Sequence, residues 1–105
     1  MKSVKWLVAV PVLGLVVACG TDTSAVTSLT GVAADGETVY KNNCTGCHGP
    51  DGMSGSTKHN IASEAKNSTD EAIATILDGD DEMPAFAGTL TNQQIANVVA
   101  YIKTL

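Results

Sequence analysis

The sequence predicts an all-α fold of three to four short helices. Two capping boxes, which are patterns that open helices, begin at Ser68 and at Thr91, and each precedes an apolar stripe with helical spacing. No segment shows a convincing strand pattern, in which polar and apolar residues alternate. These observations favour short helices packed on one another, and a chain of 105 residues has room for one domain at most.

The first 18 residues have the character of a secretory signal peptide. Lys2 and Lys5 give a positive start, and an apolar run of thirteen residues follows from Trp6 to Ala18. As a helix this run would span roughly 20 Å, short of the roughly 30 Å of hydrocarbon in a bilayer. The sequence therefore predicts a signal over residues 1–18 that is removed, with an uncleaved anchor as the alternative.

Cys19 follows this segment directly. The residues Val-Val-Ala-Cys that end at Cys19 resemble a bacterial lipoprotein box, in which the cysteine is acylated and becomes the new N-terminus. The alternative is an ordinary signal peptidase site that leaves a free thiol. From residue 20 to about residue 34 no periodic apolar face is present, so we predict a lipidated N-terminus and flexible tether over residues 19–34 and a domain over residues 35–105.

The predicted mature chain is strongly acidic. After residues 1–18 are removed, four lysines face eleven carboxylates, a formal charge of −7, and the sequence has no arginine. Without a basic patch, binding to nucleic acid or to anionic lipid by charge is disfavoured. Any attachment to a membrane must therefore come from the lipid.

The first predicted helix of the domain begins near Asp35 and runs through Tyr40 towards Cys44. It contains Gly36, a residue that disfavours helix by roughly 1 kcal/mol. A glycine is tolerated at such a position where a second helix comes close.

The middle of the domain combines loop and helix signals. Residues 49–55 are rich in glycine and predict a loop, and residues 61–66 predict one short helical turn. The capping box over residues 68–71 opens a longer helix, which Gly79 ends. The apolar face of that helix consists of Ala72, Ile73, Ile76 and Leu77.

The last helix has the clearest pattern in the sequence. The capping box over residues 91–94 is flanked by Leu90 and Ile95 at the positions of a hydrophobic staple. Its apolar stripe consists of Ile95, Val98, Val99, Ile102 and Leu105. The helix is expected to pack this stripe against the rest of the domain.

The segment Cys44-Thr45-Gly46-Cys47-His48 carries the chemistry of the sequence. Two cysteines three residues apart and followed directly by histidine are typical of covalent haem c attachment. The two thiols match the spacing of the two vinyl groups of one haem, and the imidazole of His48 would bind the iron. The alternatives are a thioredoxin-like dithiol, a zinc site and a short disulfide, and each lacks supporting features here.

A second axial ligand of the iron is expected from a methionine. Met83 follows a helix and can approach from the far side of the ring, whereas Met53 is only five residues past His48. We therefore predict His48 and Met83 as the axial ligands. Packing of Met83 in the core and ligation by His59 are the alternatives.

Residues 35–105 resemble the class I cytochromes c. The resemblance rests on Gly36 and Tyr40, the attachment motif, Met83-Pro84 and Tyr101 in the last helix. It implies the cytochrome c fold around one covalently bound haem, with the first and last helices crossing at the glycine and the two tyrosines.

One feature departs from that family. Relatives often carry a proline after the attachment motif, and its carbonyl accepts the proton of the proximal imidazole. The matching stretch here, residues 58–61, has no proline, so a carbonyl of Lys58 or His59 is the expected substitute.

The predicted function is electron transport between membrane-associated redox proteins on the extracytoplasmic side, by a lipid-anchored monomer that is not an enzyme. We expect an exported protein in the periplasm or on the outer face of a bacterial membrane. The alternatives are a fixed haem subunit of an oxidase or reductase assembly and a haem-based sensor of small ligands.

Four acidic residues surround the approach to Met83, namely Asp78, Asp80, Asp81 and Glu82. They are interpreted either as a solvated acidic loop or as a docking surface for a redox partner rich in lysine.

Overall fold

The computed structural model describes residues 21–57 and 59–105. The helices in this part of the chain are α1 (Ser24–Thr27), α2 (Ala33–Asn43), α3 (Thr45–His48), α4 (Ile61–Asn67), α5 (Thr69–Asp78) and α6 (Asn92–Ile102). The described residues contain no strand, and the predicted all-α fold is confirmed. The predicted signal peptide and the predicted lipidation site Cys19 lie outside the described residues.

Helix α6 begins as its sequence predicts. The Thr91 hydroxyl accepts a hydrogen bond from the Gln94 N–H at 3.0 Å, and the Gln94 side chain accepts one from the Thr91 N–H at 2.8 Å. This capping box satisfies two backbone donors at the helix start. One face of α6 is then buried along its whole length, with Ile95, Val98, Val99 and Ile102 in the core.

Helix α5 forms where it was expected, but its predicted capping box is wrong. The Ser68 side chain makes no capping hydrogen bond with any residue that the structure describes. Because α4 ends at Asn67, the Ser68 N–H instead completes that helix by donating to the Glu64 carbonyl at 2.9 Å. The Thr69 hydroxyl donates to the Ala65 carbonyl at 2.8 Å, which ties α5 to α4.

Helices α2 and α6 cross at Gly36. A methyl group at Gly36 would lie 1.9 Å from the Asn97 carbonyl oxygen, so only glycine allows this approach. The Tyr40 side chain is 1% exposed, and its ring lies 5.4 Å from that of Tyr101 at an angle of 54°. The helix crossing implied by the family resemblance is therefore present.

The segment before α2 packs against the domain, contrary to the predicted tether. Residues 21–32, which we call the N-terminal strap, lie along α6. Val26 is 2% exposed within the core, and the Val32 N–H donates to the Asn97 side-chain oxygen at 2.8 Å. A methyl group at Gly31 would lie 2.3 Å from the Ala96 carbonyl oxygen. One helical turn with one buried side chain leaves no periodic pattern, which is why the sequence did not reveal it.

The predicted boundary between tether and domain also moves. Helix α2 begins at Ala33, two residues before the predicted start.

None of the helices in the described residues is long and apolar enough to cross a bilayer.

Candidate haem-binding site

The one-turn helix α3, with Cys44 as its N-cap, contains Cys47 and His48. The Cys44 carbonyl accepts hydrogen bonds from the N–H groups of Cys47 at 3.2 Å and His48 at 3.0 Å. Residues at positions i, i+3 and i+4 of a helix share a face. Gly49 then ends the turn with φ +79°, a conformation that favours glycine.

The two cysteines are free thiols in different surroundings. Cys44 is partly buried and packs against the core, whereas Cys47 is exposed. Burial, and secondly the negative charge that a neighbouring Cys47 thiolate carries, raise the pKa of Cys44 to about 11. Cys44 is therefore protonated at neutral pH. No disulfide bond joins Cys44 to Cys47 in the structure.

The His48 ring is held by the loop that follows it. Its Nδ1 lies 3.3 Å from the Thr57 hydroxyl oxygen. Burial and the neighbouring His59 lower the pKa of His48, while Glu64 opposes them. A neutral imidazole is the form that binds metals. Of the two carbonyls proposed as its partner, Lys58 lies outside the described residues, and the group at hydrogen-bond distance is the Thr57 side chain.

The loop over residues 49–57 is fixed against α3 from two sides. The Tyr40 hydroxyl donates to the Gly49 carbonyl at 2.5 Å, and burial raises the pKa of Tyr40 to about 12, which keeps this donor protonated. The Thr57 N–H donates to the Cys47 carbonyl at 3.2 Å. A methyl group at Gly55 would lie 2.1 Å from that carbonyl oxygen, so glycine is required for the loop to approach.

Met83 lies in the segment between α5 and α6, in a tight turn. Asp80 and Met83 exchange backbone hydrogen bonds of 2.9 and 3.2 Å, and a methyl group at Gly79 would lie 2.6 Å from the Met83 carbonyl oxygen. The Phe86 N–H donates to the Ile76 carbonyl at 2.9 Å, which fastens the segment to α5. The Met83 side chain is partly buried against the core.

The rival ligands have different surroundings. Met53 is 47% exposed, and the His59 side chain is 68% exposed, with Nδ1 lying 3.8 Å from the Glu64 carboxylate. Met83 is the one methionine of the two that packs against the core cluster. Both the predicted role as a ligand and plain core packing are compatible with this position, so ligation by Met83 stays a prediction.

The donor set fits a covalently bound haem better than the alternatives. Two thiols and an imidazole share one helical turn, and a partly buried thioether is available from a separate segment. Residues 21–57 and 59–105 contain no group of three or more Cys, His, Asp or Glu side chains placed to hold a metal ion. A thioredoxin-like dithiol would require strands, and the same ranges have none.

Sequence reasoning missed two residues of this region, Gly55 and Thr57. Both lie in a loop without periodicity, and their importance comes from contacts with α3 that chain order does not reveal. The absence of a proline after the motif was the only signal that another partner of His48 had to be present.

The comparisons with known proteins agree with this geometry. Residues 31–102 match the family described as cytochrome c oxidase, cbb3-type, subunit III. A cytochrome c6 of Parathermosynechococcus lividus is 38% identical, over 66% of this chain and 85% of that protein. A cytochrome c6 of Synechococcus elongatus is 36% identical over the same shares, and one of a Picosynechococcus species is 33% identical over 90% of this chain and 87% of its own.

The matched region contains α2 to α6 and all four residues of the predicted haem site. Helical architecture, the attachment motif and these relatives agree with one another. The chain therefore belongs to the class I c-type cytochromes, monohaem electron-transfer proteins that bind haem c covalently.

Proposed function

We propose that this cytochrome carries single electrons between membrane-associated redox proteins on the extracytoplasmic side, with its haem held by Cys44, Cys47, His48 and Met83. The observation that supports this most is the pair of backbone hydrogen bonds from Cys47 and His48 to the Cys44 carbonyl, because these three residues then share one helical turn. Haem supplies a ferric/ferrous couple when bound.

The residues of the chain have separate roles in this proposal. Cys44 and Cys47 would hold the haem covalently, each by addition of its S–H bond across one vinyl group, which would consume no oxidant or reductant. His48 and Met83 would hold the iron, and retention of both ligands in the two oxidation states would limit reorganisation during electron transfer. The fixed loop of residues 49–57 and the tight turn at residues 79–83 support this rigidity.

A lipid on Cys19 would hold the domain close to the bilayer. The strap begins at Thr21, whose hydroxyl donates to the Asp78 carboxylate at the end of α5. Only Gly20 would then lie between Cys19 and the strap, so the Cα atoms of Cys19 and Thr21 would be about 7 Å apart at most. The intact mass of the mature protein tests this anchor: acyl groups on a chain that begins at Cys19 are expected, and an unmodified chain would rule it out.

The acidic residues near Met83 are suited to docking a basic partner. Asp78, Asp80, Asp81 and Glu82 are all exposed, next to the turn that holds Met83. The ion pairs among the described residues are Lys41 with Glu37 and His59 with Glu64, and neither involves these four side chains. Their negative charge is therefore available to a partner.

Neutralising part of this surface is expected to slow electron transfer. The variant Asp81→Asn with Glu82→Gln should reduce the second-order rate with membranes of the native host about tenfold at low salt, and the difference should shrink as salt rises. Stopped-flow oxidation at several ionic strengths measures this. The matched control is Asp70→Asn with Glu71→Gln at the other end of α5. Equal rates for both variants at all ionic strengths would contradict the docking proposal.

A fixed subunit of an oxidase assembly is the second candidate, because the matching family carries the name of such a subunit. The relatives named cytochrome c6 are electron carriers and favour the first candidate. Purification from native membranes in mild detergent distinguishes the two: a carrier elutes alone, whereas a fixed subunit elutes with its assembly.

A further inference from the structure

We propose that the Thr57 hydroxyl accepts a hydrogen bond from Nδ1–H of His48 in the haem-loaded protein, and thereby orients the ring and sets the reduction potential. The inference rests on the proposed role of His48 as an axial ligand. It makes Thr57 a positioning residue that acts on the iron through His48.

The distance between the two groups is the first observation. The Thr57 Oγ1 and His48 Nδ1 atoms are 3.3 Å apart in partly buried surroundings. An imidazole that binds a metal through Nε2 carries its proton on Nδ1, and a hydroxyl oxygen has lone pairs to accept it. Thr57 can therefore satisfy the tautomer that leaves Nε2 for the iron.

The backbone of Thr57 is held to the same turn as His48. Its N–H donates to the Cys47 carbonyl at 3.2 Å, and the close approach of Gly55 to that carbonyl brings the loop alongside. The hydroxyl thus has a fixed position relative to the imidazole.

Among residues 21–57 and 59–105, no other group replaces Thr57 as the hydrogen-bond partner of the His48 ring. His59 and Glu64, on the α4 side, influence the His48 ring by charge. Within the described part of the chain, the hydrogen bond to Thr57 is the only one that the His48 side chain makes. Residues 58–61, which match the stretch where relatives often carry a proline, have none, and the Thr57 hydroxyl is available as an acceptor instead.

The hydrogen bond has a defined electronic effect. An Nδ1–H that donates gives the imidazole more anionic character and makes it a stronger electron donor to iron. A stronger donor stabilises ferric over ferrous iron, which lowers the reduction potential. Removing the acceptor is therefore expected to raise the potential.

The test compares Thr57→Val, which keeps the shape and loses the hydroxyl, with Thr57→Ser, which keeps the hydroxyl. Redox titration of the haem-loaded proteins should show a higher midpoint potential for Thr57→Val and one near the wild-type value for Thr57→Ser. Proton NMR should show that the His48 Nδ1–H of Thr57→Val exchanges with water roughly tenfold faster. The thermal unfolding of both variants is recorded as a check on folding.

Equal midpoint potentials and equal exchange rates for Thr57→Val, Thr57→Ser and the wild type would overturn the proposal. The same is true if both variants shift alike, since the hydroxyl would then be irrelevant. A failure of the underlying assignment looks different: the wild-type protein itself would lack the NMR signals of an iron-bound His48.

Discussion

Replacing Met83 with alanine is expected to abolish the sulfur-to-iron charge-transfer band of the ferric protein. It should also lower the reduction potential by on the order of a few tenths of a volt, a part of the roughly 0.8 V range that axial ligands set. The reason is that a thioether favours ferrous iron, and that the tight turn between Asp80 and Met83 fixes the backbone from which this thioether is offered. Absorption spectra and a redox titration of the purified protein measure both effects.

Met53→Ala is the matched control for this prediction. Met53 is 47% exposed in the loop after α3, so its loss should leave both the band and the potential unchanged. If Met53→Ala removes the charge-transfer band and Met83→Ala preserves it, the assignment of Met83 as the axial ligand is wrong. Met83 would then only pack against the core.

Gly36→Ala is expected to have the largest effect on stability. The added methyl group would lie 1.9 Å from the Asn97 carbonyl oxygen, and neither backbone can retreat while α2 and α6 remain packed. Overpacking of this kind costs about 3 kcal/mol, which in a domain of this size lowers the melting temperature by on the order of 10–20 °C. Thermal unfolding of the haem-loaded protein, followed by circular dichroism, tests this.

The control is Gly88→Ala, because a methyl group at Gly88 would meet no atom within 4 Å. Its effect on the free energy of unfolding should stay within about 0.5 kcal/mol. Equal melting temperatures for the two variants would show that the helix crossing does not depend on Gly36.

Those parts of the fold that depend on long apolar patterns could be predicted from the sequence. The buried stripe of α6 and its capping box are examples, because each residue's role follows from spacing within one helix. The crossing at Gly36 was anticipated from the family resemblance. Only the structure identifies the Asn97 carbonyl as the group that excludes a side chain.

Features that depend on contacts between distant segments could not be predicted in this way. The strap is held by Val26 in the core and by the hydrogen bond from Val32 to Asn97, which is 65 residues away in sequence. Ser68 has the sequence of a helix cap, but the end of α4 already uses its N–H. Local patterns do not record such competition between neighbouring elements.

Some residues of the candidate site could be predicted from local sequence, and one could not. Cys44, Cys47 and His48 are predicted from a motif of five residues, because residues at this spacing share a single helical turn. The motif does not predict Thr57. Its position depends on the loop after α3, which packs so that the Thr57 N–H donates to the Cys47 carbonyl. The sequence therefore predicts the cofactor, whereas the contact between Thr57 and His48 is found only in the structure.

The strap changes the expected relation between the domain and the membrane. A flexible tether over residues 19–34 would allow the domain to move over roughly 20 Å. With residues 21–32 packed on α6, a domain anchored at Cys19 would remain near the membrane surface. Such restriction raises the effective concentration of partners in the same membrane.

The central claim is that one haem is joined to Cys44 and Cys47, and the intact mass of the denatured mature protein from its native host tests it most directly. We expect a mass that exceeds that of the mature chain, with any acyl groups it carries, by one haem. We also expect a pyridine haemochrome spectrum typical of two thioethers, and no titratable thiol at either position. A colourless protein in which both of these cysteines still react as free thiols would contradict the account.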